Sequence, residues 1–64
     1  MNNHTSVIVP ELPECDFCSM DGLSRPAKYD GRTTMGSWGN MCQVHFYRWG
    51  TGLGLGKGQE LKLK

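Results

Sequence analysis

A small α+β domain that cannot rely on an apolar interior alone is the fold class this sequence predicts. Three observations carry that reading. The chain has 64 residues and 38% apolar content, and a single core of that size rarely supplies more than about 3–5 kcal/mol. Strand-compatible residues around Asp30-Gly31 read as a β-hairpin. The run Met41 to Trp49, free of Gly and Pro, then reads as one short helix. Neither a lone hairpin nor a nine-residue helix is stable without tertiary support.

Residues 1–5 are polar and read as a loose tail. Ser6 to Val9 is β-branched enough for a short strand. Pro10 and Pro13 hold an extended approach to Cys15, and Asp21-Gly22 marks a turn. The hairpin spans Arg25 to Trp38, with Asp30-Gly31 at its tip because a type I′ turn needs positive φ at both central residues. Asn40 is the expected N-cap of the helix, and Gly50 its stop in the left-handed region that glycine tolerates. Glycine then occupies every second position from Gly50 to Gly58, which predicts a loop, or an edge strand closely approached by another backbone. Leu61 and Leu63 alternate with Lys62 and Lys64 as in a short closing strand. The predicted organisation is a tail with a strand over 1–12, a core over 13–50, and a glycine-rich segment with a closing strand over 51–64.

The residues with chemistry are two separated pairs, Cys15-x-x-Cys18 and Cys42-x-x-His45. Three cysteines cannot all pair within one chain, which argues against a disulfide framework. Three thiols and an imidazole are instead a standard tetrahedral set for structural zinc. The first pair sits on a turn after Pro13, and the second on the first turn of the helix, where residues three apart share a face. One structural Zn2+ held by Cys15, Cys18, Cys42 and His45 is therefore the predicted cofactor, although spacing alone leaves iron open. The second ring nitrogen of His45 is expected to donate to an oxygen acceptor. His4 lacks a partner at ligand spacing and reads as a surface residue. Four protein ligands close the coordination sphere, whereas catalytic zinc keeps a position for water or substrate. The expectation is thus a non-enzymatic module without a catalytic residue or a small-molecule substrate.

Charge is unevenly spread. Residues 1–21 carry four carboxylates and no Lys or Arg, while residues 32–64 carry five basic residues against Glu60. A basic second half fits a polyanion. Arg25, Lys28, Arg32, Arg48 and Lys57 are the candidate phosphate contacts, with Tyr47 or a Trp stacking. Phe46, Trp49 and Trp38 are expected near the ligands as a small core. The glycine segment does not form a Walker loop: Thr51 stands where its first Gly belongs, and Gly58 where Ser or Thr belongs. The alternative is a protein-interaction module, its C-terminal Leu/Lys segment offering an edge strand. No apolar run reaches the ~20 residues that cross a membrane, and residues 1–9 lack the basic start of a secretory leader. These features predict a cytoplasmic protein.

The order of Cys-x-x-Cys turn, hairpin and helix-borne second pair resembles the treble-clef and zinc-ribbon class of zinc fingers over about residues 13–50. Asp16-Phe17 and Ser19 depart from the Pro and Gly usual at that class's first turn. The strings AKYDGRTTMGSWGNMC and GLGLGKGQ are also similar to small uncharacterised zinc-finger proteins of bacteriophages and their hosts. That resemblance implies a phage-type origin and the host cytoplasm as location, and gives no established activity; the partner expected from the charge is a nucleic acid, and from the alternative a host or phage protein. The resemblance carries over only the four ligands.

Overall fold

A computed structural model describes residues 5–64, so the expectations for the first four residues, including His4, lie outside the described residues. The chain is a small α+β fold of four strands and two helices: β1 (Ser6–Val9), α1 (Asp16–Met20), β2 (Tyr29–Arg32), β3 (Trp38–Met41), α2 (Gln43–Trp49) and β4 (Gly58–Leu63). One sheet runs in the order β1-β4-β2-β3. β1 pairs with β4 in parallel, and the other neighbours are antiparallel. Both helices pack against β3.

β1 lies where its β-branched residues predict, with Val7 and Val9 turned inward and Ser6 and Ile8 outward. The closing strand also forms, but β4 lies inside the sheet, between β1 and β2. The expected edge strand is thus replaced by one whose Gly58–Glu60 stretch pairs on its β2 side. Thr5 helps hold this arrangement, its hydroxyl donating to the Gly58 carbonyl.

The hairpin forms with a different tip. Asp30 and Gly31 lie within β2, opposite Asn40 and Gly39. The chain reverses over Thr33 to Ser37, where the Thr33 N–H and hydroxyl both donate to the Ser37 carbonyl at 2.8 Å, and Gly36 takes φ 95°. The glycine at 31 serves a different need. A Cβ there would stand 2.8 Å from the Lys57 carbonyl oxygen and 3.1 Å from Gly58 Cα, so two bare backbones meet where β2 crosses β4.

The helix is shorter than predicted. Asn40 is in β3, and Cys42 is the N-cap. The backbone N–H of Asn40 donates to Asp16 Oδ2 at 2.8 Å, which ties β3 to α1. Gly50 does end the helix, but at φ −74° and ψ 158° rather than in the left-handed region. Its lack of a side chain matters because a Cβ would meet Phe46 ring and carbonyl atoms at 2.6–2.7 Å. The single predicted helix also becomes two, because the first Cys-x-x-Cys turn continues into α1.

The buried apolar residues are few: Cys15, Cys18, Ala27, Met41 and Leu61. Two of these five are cysteines of the proposed ligand set, so the interior is largely the site itself. Val7, Val9, Leu12, Phe17 and Cys42 pack round it, partly buried.

Candidate metal centre

The two donor pairs share one local design. Cys15 is the N-cap of α1 and Cys18 lies in its first turn, while Cys42 is the N-cap of α2 and His45 lies in its first turn. Both N-caps are extended, at φ −66° and −71°. An extended residue followed by one helical turn brings its side chain and that of the third residue onward to the same place.

A short ladder fixes the first pair. The Cys15 N–H donates to the Arg25 carbonyl, and the Ala27 N–H to the Pro13 carbonyl, both at 2.7 Å. The extended approach through Pro13 thus becomes one side of an antiparallel clasp. The Cys18 carbonyl accepts from both Asp21 and Leu23 N–H groups, closing the turn at Asp21-Gly22. The β2–β3 hairpin carries the second pair in, since Met41 ends β3 directly before Cys42.

The four donor atoms converge. His45 Nδ1 lies 3.4 Å from Cys15 Sγ, 3.5 Å from Cys18 Sγ and 3.2 Å from Cys42 Sγ. Cys18 and Cys42 Sγ are 3.8 Å apart, far beyond the ~2.05 Å of a disulfide, and all three cysteines are free. All four donor atoms lie within 4.8 Å of one another, close enough to hold one metal ion.

The thiols differ electrically. Burial opposes ionisation of Cys15, but the backbone N–H groups of Cys18 and Cys42, with His45 and Cys18 side chains, outweigh it and lower the thiol to about 6. Burial raises Cys18 to about 11, reinforced by the neighbouring Cys15 and Cys42. Crowded sulfurs cannot all carry charge without a cation. The donor set therefore suits a soft divalent ion.

The two residues between the first cysteines also have assignments. Asp16 makes the bond to Asn40 described above. Phe17 stacks on the His45 ring at 5.4 Å and on Trp49 at 6.1 Å. This packing against Phe17 helps to fix the orientation of the His45 ring. Phe46 stacks on Tyr29 at 4.1 Å. Trp38 leaves the expected small core altogether and is 53% exposed on β3.

No family model, curated protein or solved structure matches this chain.

The six candidate contact residues are scattered. Arg25 and Lys28 are exposed beside the first ligand pair and the start of β2. Tyr47 is 82% exposed on α2, and the Arg48 guanidinium lies 5.8 Å from the centre of the Trp49 ring. Arg32 and Lys57 alone among the six line one cleft. Among the described residues, no helix is long and apolar enough to cross a membrane.

Proposed function

We propose that this chain is a non-enzymatic module built round one structural zinc ion, held by Cys15, Cys18, Cys42 and His45, and that its job is to contact nucleic acid. One observation carries the zinc reading. Tetrahedral zinc, with Zn–S of about 2.3 Å and Zn–N of about 2.0–2.1 Å, sets S···S edges of about 3.8 Å and S···N edges of about 3.6 Å. The Cys18–Cys42 edge is 3.8 Å and the His45 edges run from 3.2 to 3.5 Å. When bound, the ion supplies a fixed double positive charge. The chain's side chains then fill all four positions, which leaves none for a reacting water.

The treble-clef reading is supported by the order of the parts: a Cys-x-x-Cys turn, a hairpin, then Cys42 and His45 at the start of a helix. A phage-type origin, and with it the host cytoplasm as location, is supported by the resemblance of the two strings alone. Nucleic-acid contact is supported by the basic second half and by the Arg32–Lys57 cleft. Elemental analysis of the purified chain should give about one zinc per chain. A folded chain without metal would defeat the reading.

The protein-contact reading has one feature of its own, a groove of about 460 Å³ with Tyr29, Phe46, Tyr47 and Leu53 in its walls. Its expected edge in the C-terminal segment is largely taken up by β4 pairing. Capture from a nuclease-treated lysate, lost on Tyr47→Ser, would favour this second reading.

A further inference from the structure

Three exposed residues outside the Cys/His cluster fall in one row across the sheet. Trp38 on β3 stands directly opposite Arg32 on β2. On the other side, the Arg32 N–H donates to the Lys57 carbonyl at 2.7 Å. This bond continues the β2–β4 register, in which Gly31 faces Gly58, and sets Lys57 opposite Arg32. With neighbouring strands about 4.8 Å apart, the row runs roughly 10 Å from the indole to the lysine.

Two cations directly opposed across a sheet destabilise it unless something neutralises them. Nothing among the described residues does so: neither Arg32 nor Lys57 forms an ion pair. They share a cleft of about 290 Å³ with Thr34, Gly36, Thr51 and Gly56, and no carboxylate lines it. The nearest acid along β2 on the same face is Asp30, which accepts a hydrogen bond from Gln59 at 3.4 Å. The cleft is small beside the ~300–1,000 Å³ typical of small-molecule sites. It suits a compact anion.

The local backbone holds this arrangement in place. The Thr51 N–H and hydroxyl both donate to the Arg32 carbonyl at 3.1 Å. Gly36 and Gly56 have positive φ, and a Cβ on either would meet nothing within 4 Å, so the two loops flank the cleft without side chains that would fill it. The two tryptophans divide their roles. Trp49 packs on Phe17, whereas Trp38 leaves about half its surface in water beside the cation pair.

We propose that this row is a binding site for single-stranded nucleic acid, with one backbone phosphate between Arg32 and Lys57 and an adjoining base stacked on Trp38. The inference rests on the nucleic-acid reading above and adds its location and the strand form. A phosphate explains the opposed cations, and an unpaired base explains the exposed indole. Bases within a duplex hide the faces that Trp38 would stack on.

The test is fluorescence anisotropy of a labelled 12-nucleotide thymidine strand against the zinc-loaded chain at two salt concentrations. The partners are a duplex of the same length and inorganic phosphate as competitor. Arg32→Gln with Lys57→Gln should weaken single-strand binding about tenfold or more at low salt. It should also reduce the log–log salt slope by about 0.7, for the one phosphate neutralised. Trp38→Ala should weaken binding about tenfold and leave that slope unchanged, as stacking requires. Zinc content and circular dichroism of each variant confirm the fold. If wild-type binding survives in both variants, the location is wrong while the nucleic-acid reading stands. Duplex bound more tightly than single strand overturns the strand form. Inorganic phosphate held by the same residues with no strand binding makes this a free-anion site and overturns the proposal. Binding to neither strand form at low salt overturns the proposal and the nucleic-acid reading together.

Discussion

The ligand end and the glycine end of this molecule solve opposite problems with equally little material. At the ligand end, Cys15, Cys18, Ala27 and Met41 are almost wholly buried, and the two residues between Cys15 and Cys18 each touch a second element. At the other end, five glycines alternate from Gly50 to Gly58, Leu55 is 96% exposed, and cations line the one cleft between the loops. The first region gains order from side chains that converge. The second gains it from backbones that approach closely because side chains are missing. A chain of 64 residues can hold an open, charged surface only if the other end is held firmly.

The largest expected effect tests that dependence. Structural zinc contributes on the order of 10–16 kcal/mol in finger peptides, well above the ~3–5 kcal/mol of a core this small. Chelation, or Cys42→Ala with His45→Ala, should therefore unfold both ends together. Amide dispersion by NMR and far-UV circular dichroism would report it. Retained dispersion at residues 51–63 alone would show that the glycine end folds independently.

Phe17→Ala is the next largest. It removes the ring that stacks on both His45 and Trp49. Full truncation of a buried Phe costs about 3–5 kcal/mol. Phe17 is only half-buried, so about 2–3 kcal/mol is expected by chemical denaturation of the zinc-loaded chain. Gly31→Ala probes the opposite mechanism at the other end. The added methyl has to displace backbone atoms at 2.8 and 3.1 Å, and overpacking of this kind costs about 1–3 kcal/mol. Gly36→Ala meets no atom and should cost about 1 kcal/mol, from the positive φ alone. If the two glycine variants were equal, close approach would not explain Gly31.

These residues also mark what was legible in the sequence. The pairs Cys15/Cys18 and Cys42/His45 were, as donors that converge close enough to hold one metal ion, because donor type and local spacing are visible in the chain. So were β1, the turn at Asp21-Gly22, and the existence of a hairpin and a following helix. The tip of the hairpin was not. Asp30-Gly31 carries a strong local turn signal, but the contacts that decide Gly31 come from Lys57 and Gly58, 26 and 27 residues away in the chain. The place of β4 inside the sheet was hidden for the same reason, since pairing order is a long-range property. Asn40 misled as an N-cap because Cys42, two residues later, fills that position as a donor. The row of Trp38, Arg32 and Lys57 needed the register of three strands, which no local pattern specifies. The helical turn of α1 was missed because five residues are too few to show a period.

Acidification separates the two ends by chemistry. Metal needs thiolates, so any thiol still protonated has to release its proton on binding. Cys18, raised to about 11 in the metal-free site, releases one throughout the range below that value. Cys15, lowered to about 6, adds its own only as pH falls through 6. Competition with a chelator should show zinc affinity falling by at least about tenfold per pH unit, or about 1.4 kcal/mol, and more steeply below pH 6. Binding at the Arg32–Lys57 cleft should follow this curve only through the fraction folded.

The smallest effect concerns the joint between the regions. Asp16 Oδ2 accepts the Asn40 N–H across 24 residues of chain, and Gly39 makes room for that carboxylate, since a Cβ there would lie 3.2 Å from it. A charge-assisted bond at an exposed position is worth about 1 kcal/mol. Asp16→Ala should lower stability by about that much and leave the zinc-to-protein ratio at one, because Cys15 and Cys18 keep their own ladder to Arg25 and Pro13. Asp16→Asn should recover part of the loss, since its amide oxygen still accepts. A loss of zinc in Asp16→Ala would mean that this carboxylate orients the ligands themselves, and that the dense end extends one layer further into β3 than burial alone indicates.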